Sequence, residues 1–134
     1  MVTIQMEYEG DLHCRAVHGP SGTALATDAP KDNQGRGESF SPTDLVATAL
    51  GTCMLTTMAI MARTLNVEIA GAKATVEKEM TPAPRRIGSL ATTVHMPTAL
   101  DADTQLKLER AAHTCPVLRS LHPDVNAPIT FIWG

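Results

Sequence analysis

Residues 41–62 read SPTDLVATALGTCMLTTMAIMA, and the fold turns on where this stretch lies. From Leu45 to Ala62 it holds 18 residues without a charge, at the short limit for a membrane-spanning helix. It also holds four threonines and a glycine, and the segments around it are half polar. A helix apolar on every side belongs equally to the middle of a protein core. The buried-helix reading is the better match, and it leaves no role for a membrane. Its consequence is that something must cover the helix all round, and one small domain has little material for that. The start of the helix is marked. Ser41 can cap, Pro42 suits the first helical position, and Asp44 can reach back to the cap. The helix is expected to run to about Leu65, with Asn66 as its stop.

Before the helix, Val2, Ile4, Met6 and Tyr8 alternate with Thr3, Gln5, Glu7 and Glu9, the pattern of a half-buried strand. Gly10-Asp11 turns the chain into a second extended stretch, Leu12 to Val17. A third, Thr23 to Thr27, ends at Asp28-Ala29-Pro30, and Lys31 to Ser39 is a polar, glycine-containing loop. After the helix, Lys73 to Met80 and Ile87 to Met96 read as strands joined by TPAPRR, with Leu90, Thr92, Val94 and Met96 on one face. Asp101 or Asp103 opens a helix that sets Leu106, Ala112 and His113 near one face, and Cys115-Pro116 breaks it. Val117 to Leu121 forms a further helical turn and Ile129 to Trp133 a closing strand. The order βββ-α-ββ-α-α-β predicts one α+β domain over residues 1–134, with antiparallel sheets.

A net charge of −3 over 134 residues leaves no basic footprint for nucleic acid. No basic start precedes an apolar signal segment, and on that ground an intracellular, cytoplasmic protein is expected. Three cysteines make no disulfide framework, and in a reducing compartment they read as free thiols or redox participants. Four aromatics against seven methionines leave the core to aliphatic and flexible thioether side chains.

The sulfurs carry the chemistry. Cys53 sits mid-helix beside Ala49, Thr56, Thr57 and Ile60, while Met54, Met58 and Met61 form a separate stripe. A buried small hydrophobe is one reading of Cys53. Cys14 follows His13 on a strand and reads as structural. Cys115, in AAHTCPVLRSLHP, stands where a helix starts, and free N–H groups there draw a thiol below its ordinary pKa of ~8.5. Spacing does not show that Cys53 and Cys115 meet. If they do, one thiolate can attack a peroxide oxygen to give a sulfenic acid, and the other can condense with it to a disulfide. That chemistry needs a cation near the first thiol and an external reductant, and no metal or cofactor. A zinc reading from His13, Cys14, His113, Cys115 and His122 lacks any paired ligand spacing.

The segment GRGESFSPTDLVATALGTCM, with its lone cysteine in a long apolar helix, followed far downstream by a helix ending in CPV, resembles the OsmC/Ohr family. These are osmotically induced and organic-hydroperoxide-resistance proteins, and the likeness spans nearly the whole chain. The resemblance implies thiol-dependent reduction of organic hydroperoxides, with Cys53 as peroxidatic and Cys115 as resolving cysteine. It implies an intertwined homodimer whose sheets wrap a long central buried helix, so that a partner chain supplies the missing cover. It implies a dithiol reductant, lipoyl or thioredoxin-like. The family carries a glutamate in the first turn of that helix, pairing with the arginine that activates the cysteine, and here Thr43 stands in its place. Asp44 is about 14 Å from Cys53 along the axis, on the other side of the helix, and is better explained as a cap. Arg36, Arg15 and Arg119 are the candidate cations, and Arg36 with Glu38 as its orienting carboxylate is preferred, because their loop runs into the helix. Both can equally be solvated loop charges. A relative that binds a small apolar ligand between subunits, without catalysis, is the alternative.

Overall fold

Ser41 and Asp44 cap each other at the head of the long helix. The Asp44 N–H donates to Ser41 Oγ at 3.1 Å, and the Ser41 N–H donates to Asp44 Oδ2 at 2.9 Å. Two otherwise orphaned donors are thereby satisfied, and Pro42 follows as the first helical residue. Helix α1 spans Pro42–Thr64 and stops at Asn66, whose φ of +55° a helix cannot continue. The computed structural model describes residues 1–134, which form two compact units, Met1–Val46 and Ala47–Gly134.

The first unit is a three-stranded antiparallel sheet in the order β1-β2-β3, with β1 Ile4–Gly10, β2 His13–His18 and β3 Ala24–Asp28. Asp11 and Leu12, both at positive φ, form the tight β1–β2 turn. The half-buried reading of β1 does not hold. Ile4, Met6 and Tyr8 are 52%, 67% and 63% exposed, because nothing else in the chain covers that face.

The second unit carries α1 from Ala47 onward, with β4 Lys73–Pro82, β5 Arg85–Met96, α2 Ala102–Ala112, α3 Pro116–Ser120 and β6 Ile129–Trp133. Its sheet runs β4-β5-β6. Strands β4 and β5 are antiparallel, but β6 lies parallel to β5, which corrects the all-antiparallel expectation. The two-helix connection α2–α3 is a crossover that returns the chain in the same direction, as a hairpin could not. The inner face of β5 is the one foreseen: Leu90 and Val94 are fully buried, and Thr92 and Met96 nearly so. Helix α1 lies closely on β4. A side chain at Gly51 would bring its Cβ to 3.1 Å from Val76 Cγ2, so only glycine fits without displacement.

Within the chain, helix α1 is buried along one face only, by Ala47, Leu50, Gly51, Met54, Met58 and Ala62, while Ile60 stays 63% exposed, the shortage of cover expected of one small domain. By length and composition α1 could cross a membrane, yet Leu50, Met54 and Met58 are wholly buried within the protein. The inward face expected of α2 is corrected. On α2 the inward stripe is Leu108, Ala111 and Ala112, whereas Leu106 and His113 face outward. The i, i+3, i+4 spacing from Leu108 sets this face, opposite Leu106. Against β6, Trp133 Nε1 donates to Glu109 Oε2 at 2.9 Å, and the rings of His113 and Phe131 sit 6.2 Å apart.

Candidate active site

Helical periodicity places Cys53 between the buried stripe of α1 and its exposed side, so its thiol is half-buried. Cys115 arrives from the opposite direction. Helix α2 ends at Ala112, the chain turns through His113 and Thr114, and Cys115 becomes the cap of α3. Its sulfur accepts from the Leu118 N–H at 3.5 Å, and Pro116, which has no N–H to lose, takes the first helical position. The cap expected from the Cys-Pro pair is therefore formed.

The second unit brings these two cysteines together: both are free, and their thiols are hydrogen-bond partners. Burial pushes the Cys53 thiol up. Hydrogen bonds from Cys115, from the Val117 N–H and from the Thr57 hydroxyl outweigh it, leaving Cys53 below the ordinary thiol value. Cys115, with no exposed surface, is driven the other way. Burial raises it most, the hydrogen bond and charge of Cys53 raise it further, and the Leu118 and Val117 N–H groups pull it down by less. The acidic Cys115 expected from its helix start is thus corrected. Two N–H groups at the mouth of a short helix are weaker than desolvation at a fully buried sulfur.

Two of the three donors at Cys53 went unassigned in the sequence reading, though each has a visible signal. Thr57 is one turn on from Cys53, and Val117 is the first residue after Pro116 with an N–H to offer. The Thr57 hydroxyl also donates to the Cys53 carbonyl oxygen at 2.8 Å, so its single proton is shared between two acceptors.

Of the candidate cations, Arg15 is exposed on β2, Arg119 is exposed in the last turn of α3, and Arg36 is exposed on the loop after β3. No guanidinium is among the groups that shift the Cys53 thiol. Within the first unit, Arg36 and Glu38 both serve Asp28. This carboxyl is held below its usual range chiefly by the hydrogen bond from His13. Burial opposes that pull, and the Glu38 N–H and the charges of His13 and Arg36 assist it. In the sequence Asp28 marks only the end of the third strand. Cys14 pairs with Tyr8 and Thr27 in the sheet, as a structural strand residue does. No group of three His, Cys, Asp or Glu side chains converges as a metal ligand set.

The sequence and the fold have counterparts. A family profile described as OsmC-like protein matches residues 35–129. A protein of Psychrobacter arcticus named for osmotic stress induction and detoxification response is 44% identical. It superposes with a TM-score of 0.93 over 98% of this chain and 96% of that one. The organic hydroperoxide resistance protein OsmC of Legionella pneumophila shares the fold at 13% identity, with a TM-score of 0.80 over 98% and 96% of the two chains. The organic hydroperoxide resistance protein OhrB of Bacillus subtilis shares it at 17% identity, with a TM-score of 0.68 over 98% and 97%. No curated protein matches the chain.

Proposed function

The chain belongs to the OsmC-like protein family, and from that membership we propose that it is a thiol peroxidase acting on organic hydroperoxides. One observation carries the reading: two free thiols, the half-buried Cys53 and the wholly buried Cys115, face each other in one site whose donors and burial set their pKa values apart. The Cys53 thiolate attacks the outer peroxide oxygen. The O–O bond breaks, the alkoxide takes a proton and leaves as alcohol, and Cys53 becomes a sulfenic acid. The Cys115 sulfur then displaces water to form the Cys53–Cys115 disulfide, which a dithiol of the lipoyl or thioredoxin-like class reduces by exchange. One equivalent of cumene hydroperoxide should lower the free thiols from three per chain to one, leaving Cys14. Retention of all three would defeat the proposal.

We further propose a cytoplasmic homodimer. Ile4, Met6, Tyr8 and Ile60 lie exposed in the single chain, a burden that a second copy would relieve. Light scattering at micromolar concentration should give twice the chain mass, and a monomer mass would sink the idea.

The ligand-binding alternative has one observation in its favour. A cavity of about 340 Å³ lies between α1 and α2, lined by Ile60, Met61 and Ala111 with Arg110 among its polar residues. Binding of an apolar dye without any thiol loss on peroxide treatment would favour it.

A further inference from the structure

We propose that helix α3 is a redox-dependent lid, closed over Cys115 in the dithiol state and released by the disulfide, so that the reducing dithiol attacks Cys115. The proposal rests on the peroxidase reading, which supplies the disulfide.

Helix α3 is lightly held. It is five residues long, Pro116–Ser120, and none of them is fully buried, with Val117 and Leu118 half-buried. Its Leu118 N–H donates to Cys115 Sγ at 3.5 Å, and its Val117 N–H serves both sulfurs. The other hydrogen bonds of the segment are local. Ser120 Oγ donates to the Pro116 carbonyl at 2.8 Å, the Arg119 N–H to the Cys115 carbonyl at 3.1 Å, and the Leu121 N–H to the Leu118 carbonyl at 3.3 Å. The Asp124 and Val125 N–H groups donate to His122, at Nδ1 and at its carbonyl. Firm anchors lie only at the two ends. The Cys115 N–H donates to the Ala112 carbonyl of α2 at 3.2 Å, and the Asn126 N–H to the Gly88 carbonyl of β5 at 3.0 Å. Between those ends, the hydrogen bonds that dock the chain on the site all finish on the two reacting sulfurs.

Oxidation weakens what those donors bind. A hydrogen bond to an ionised acceptor is about twice as strong as one to a neutral acceptor. In the dithiol state the Val117 N–H serves Cys53, the sulfur of lowered pKa. In the disulfide neither sulfur carries a charge, and the two must draw together to about 2 Å, closer than any hydrogen bond between them. Cys53 is fixed midway along the 23-residue α1, whereas Cys115 stands at the joint between α2 and α3. The adjustment therefore falls on Cys115 and on the cap it gives to α3.

Reduction needs that release. Cys115 has no exposed surface while α3 is docked. Yet exchange is faster when the departing sulfur is the more acidic one, which is Cys53. The reductant thiolate bonds to Cys115 Sγ, the Cys53–Cys115 bond breaks, and its electron pair leaves on Cys53 as thiolate. The second thiol of the reductant gives up its proton and closes on the first to make a cyclic disulfide. Cys115 departs from the reductant and takes a proton. The restored Cys53 thiolate regains the Val117 N–H, and the lid closes.

The test uses the full chain, reduced and after one equivalent of cumene hydroperoxide, with mass mapping to locate the Cys53–Cys115 disulfide. Amide exchange at Val117 and Leu118, read by NMR, should quicken about tenfold on oxidation, as loss of a charge-assisted hydrogen bond would give, while α2 keeps its protection. The oxidised chain is then mixed with 2-mercaptoethanol, a monothiol that cannot cyclise, and quenched in acid early in the reaction. The adduct should map to Cys115, with Cys53 free. Unchanged or slower exchange at Val117 and Leu118, or an adduct on Cys53, would overturn the lid and leave the peroxidase reading standing. Failure of peroxide to produce the Cys53–Cys115 disulfide would remove that reading, and the lid with it.

Discussion

Cys53 lies in the middle of the 23-residue helix α1, half-buried, with donors from Cys115, Val117 and Thr57 around its sulfur. Cys115 caps the five-residue helix α3, wholly buried, and accepts from Leu118 and Val117 while facing Cys53. A rule based on helix ends alone would rank their acidity the other way round, since only Cys115 sits at a helix start. What decides is the balance between desolvation and donors. Desolvation is the largest single influence on each sulfur, but at Cys53 three donors together outweigh it, whereas Cys115 must ionise beside a neighbour whose charge opposes it. The difference divides labour between them. The more accessible thiol is the one whose pKa is lowered, and the buried thiol, raised, is placed to donate to it.

The largest test of that division is to remove each sulfur in turn. Cys53→Ser should abolish peroxide consumption outright. Cys115→Ser should still consume one equivalent and stop at a sulfenic acid on Cys53 that dimedone traps, with no turnover on a dithiol that needs the internal disulfide. If Cys53→Ser keeps consuming peroxide, or Cys115→Ser cycles at the full rate, the two roles are wrongly assigned.

How much of this contrast was legible beforehand differs from residue to residue. Ser41, Pro42 and Asp44 announced the start of α1 because capping depends on side chains within one turn. Leu90, Thr92, Val94 and Met96 announced the buried face of β5 because strand alternation is local. The Cys-Pro pair announced the cap on α3 for the same reason. The sign of the Cys115 shift was not legible, because burial is a property of everything packed round the sulfur. Likewise Met6 and Tyr8 alternate as cleanly as Leu90 and Val94, yet they stay exposed, since alternation names a face without saying what will cover it. The parallel placement of β6 was hidden because strand direction depends on the path of α2 and α3. Asp28 was hidden because its partners, His13 and Glu38, are brought to it only by sheet pairing and loop closure.

A smaller effect separates the thiols by pH. Because its pKa lies below the ordinary value, Cys53 should remain thiolate, and so alkylate, down to a lower pH than in the urea-unfolded chain. Cys115, raised, should need a higher pH than its unfolded counterpart. In Cys53→Ser the neighbouring charge is gone, and the midpoint of Cys115 should fall back while burial still holds it above the unfolded value. Mass-resolved iodoacetamide labelling across pH measures all three. A Cys115 midpoint below that of Cys53 would reverse the comparison.

The smallest expected effect concerns Thr57, the last-ranked donor at Cys53. Thr57→Val keeps the shape of the side chain and removes the hydroxyl. A hydrogen bond of this kind contributes about 1 kcal/mol, less than the 1.36 kcal/mol that one pK unit represents. The same proton also serves the Cys53 carbonyl at 2.8 Å, so the sulfur holds only part of it. The Cys53 midpoint should therefore rise by a fraction of a unit, and peroxide consumption at neutral pH should slow by no more than a few fold. Thr57→Ser, which keeps the donor, should match the parent. A rise in Thr57→Val as large as that in Cys115→Ala would mean that the hydroxyl supports the charge as strongly as the second thiol does, and the ranking of the donors would fall.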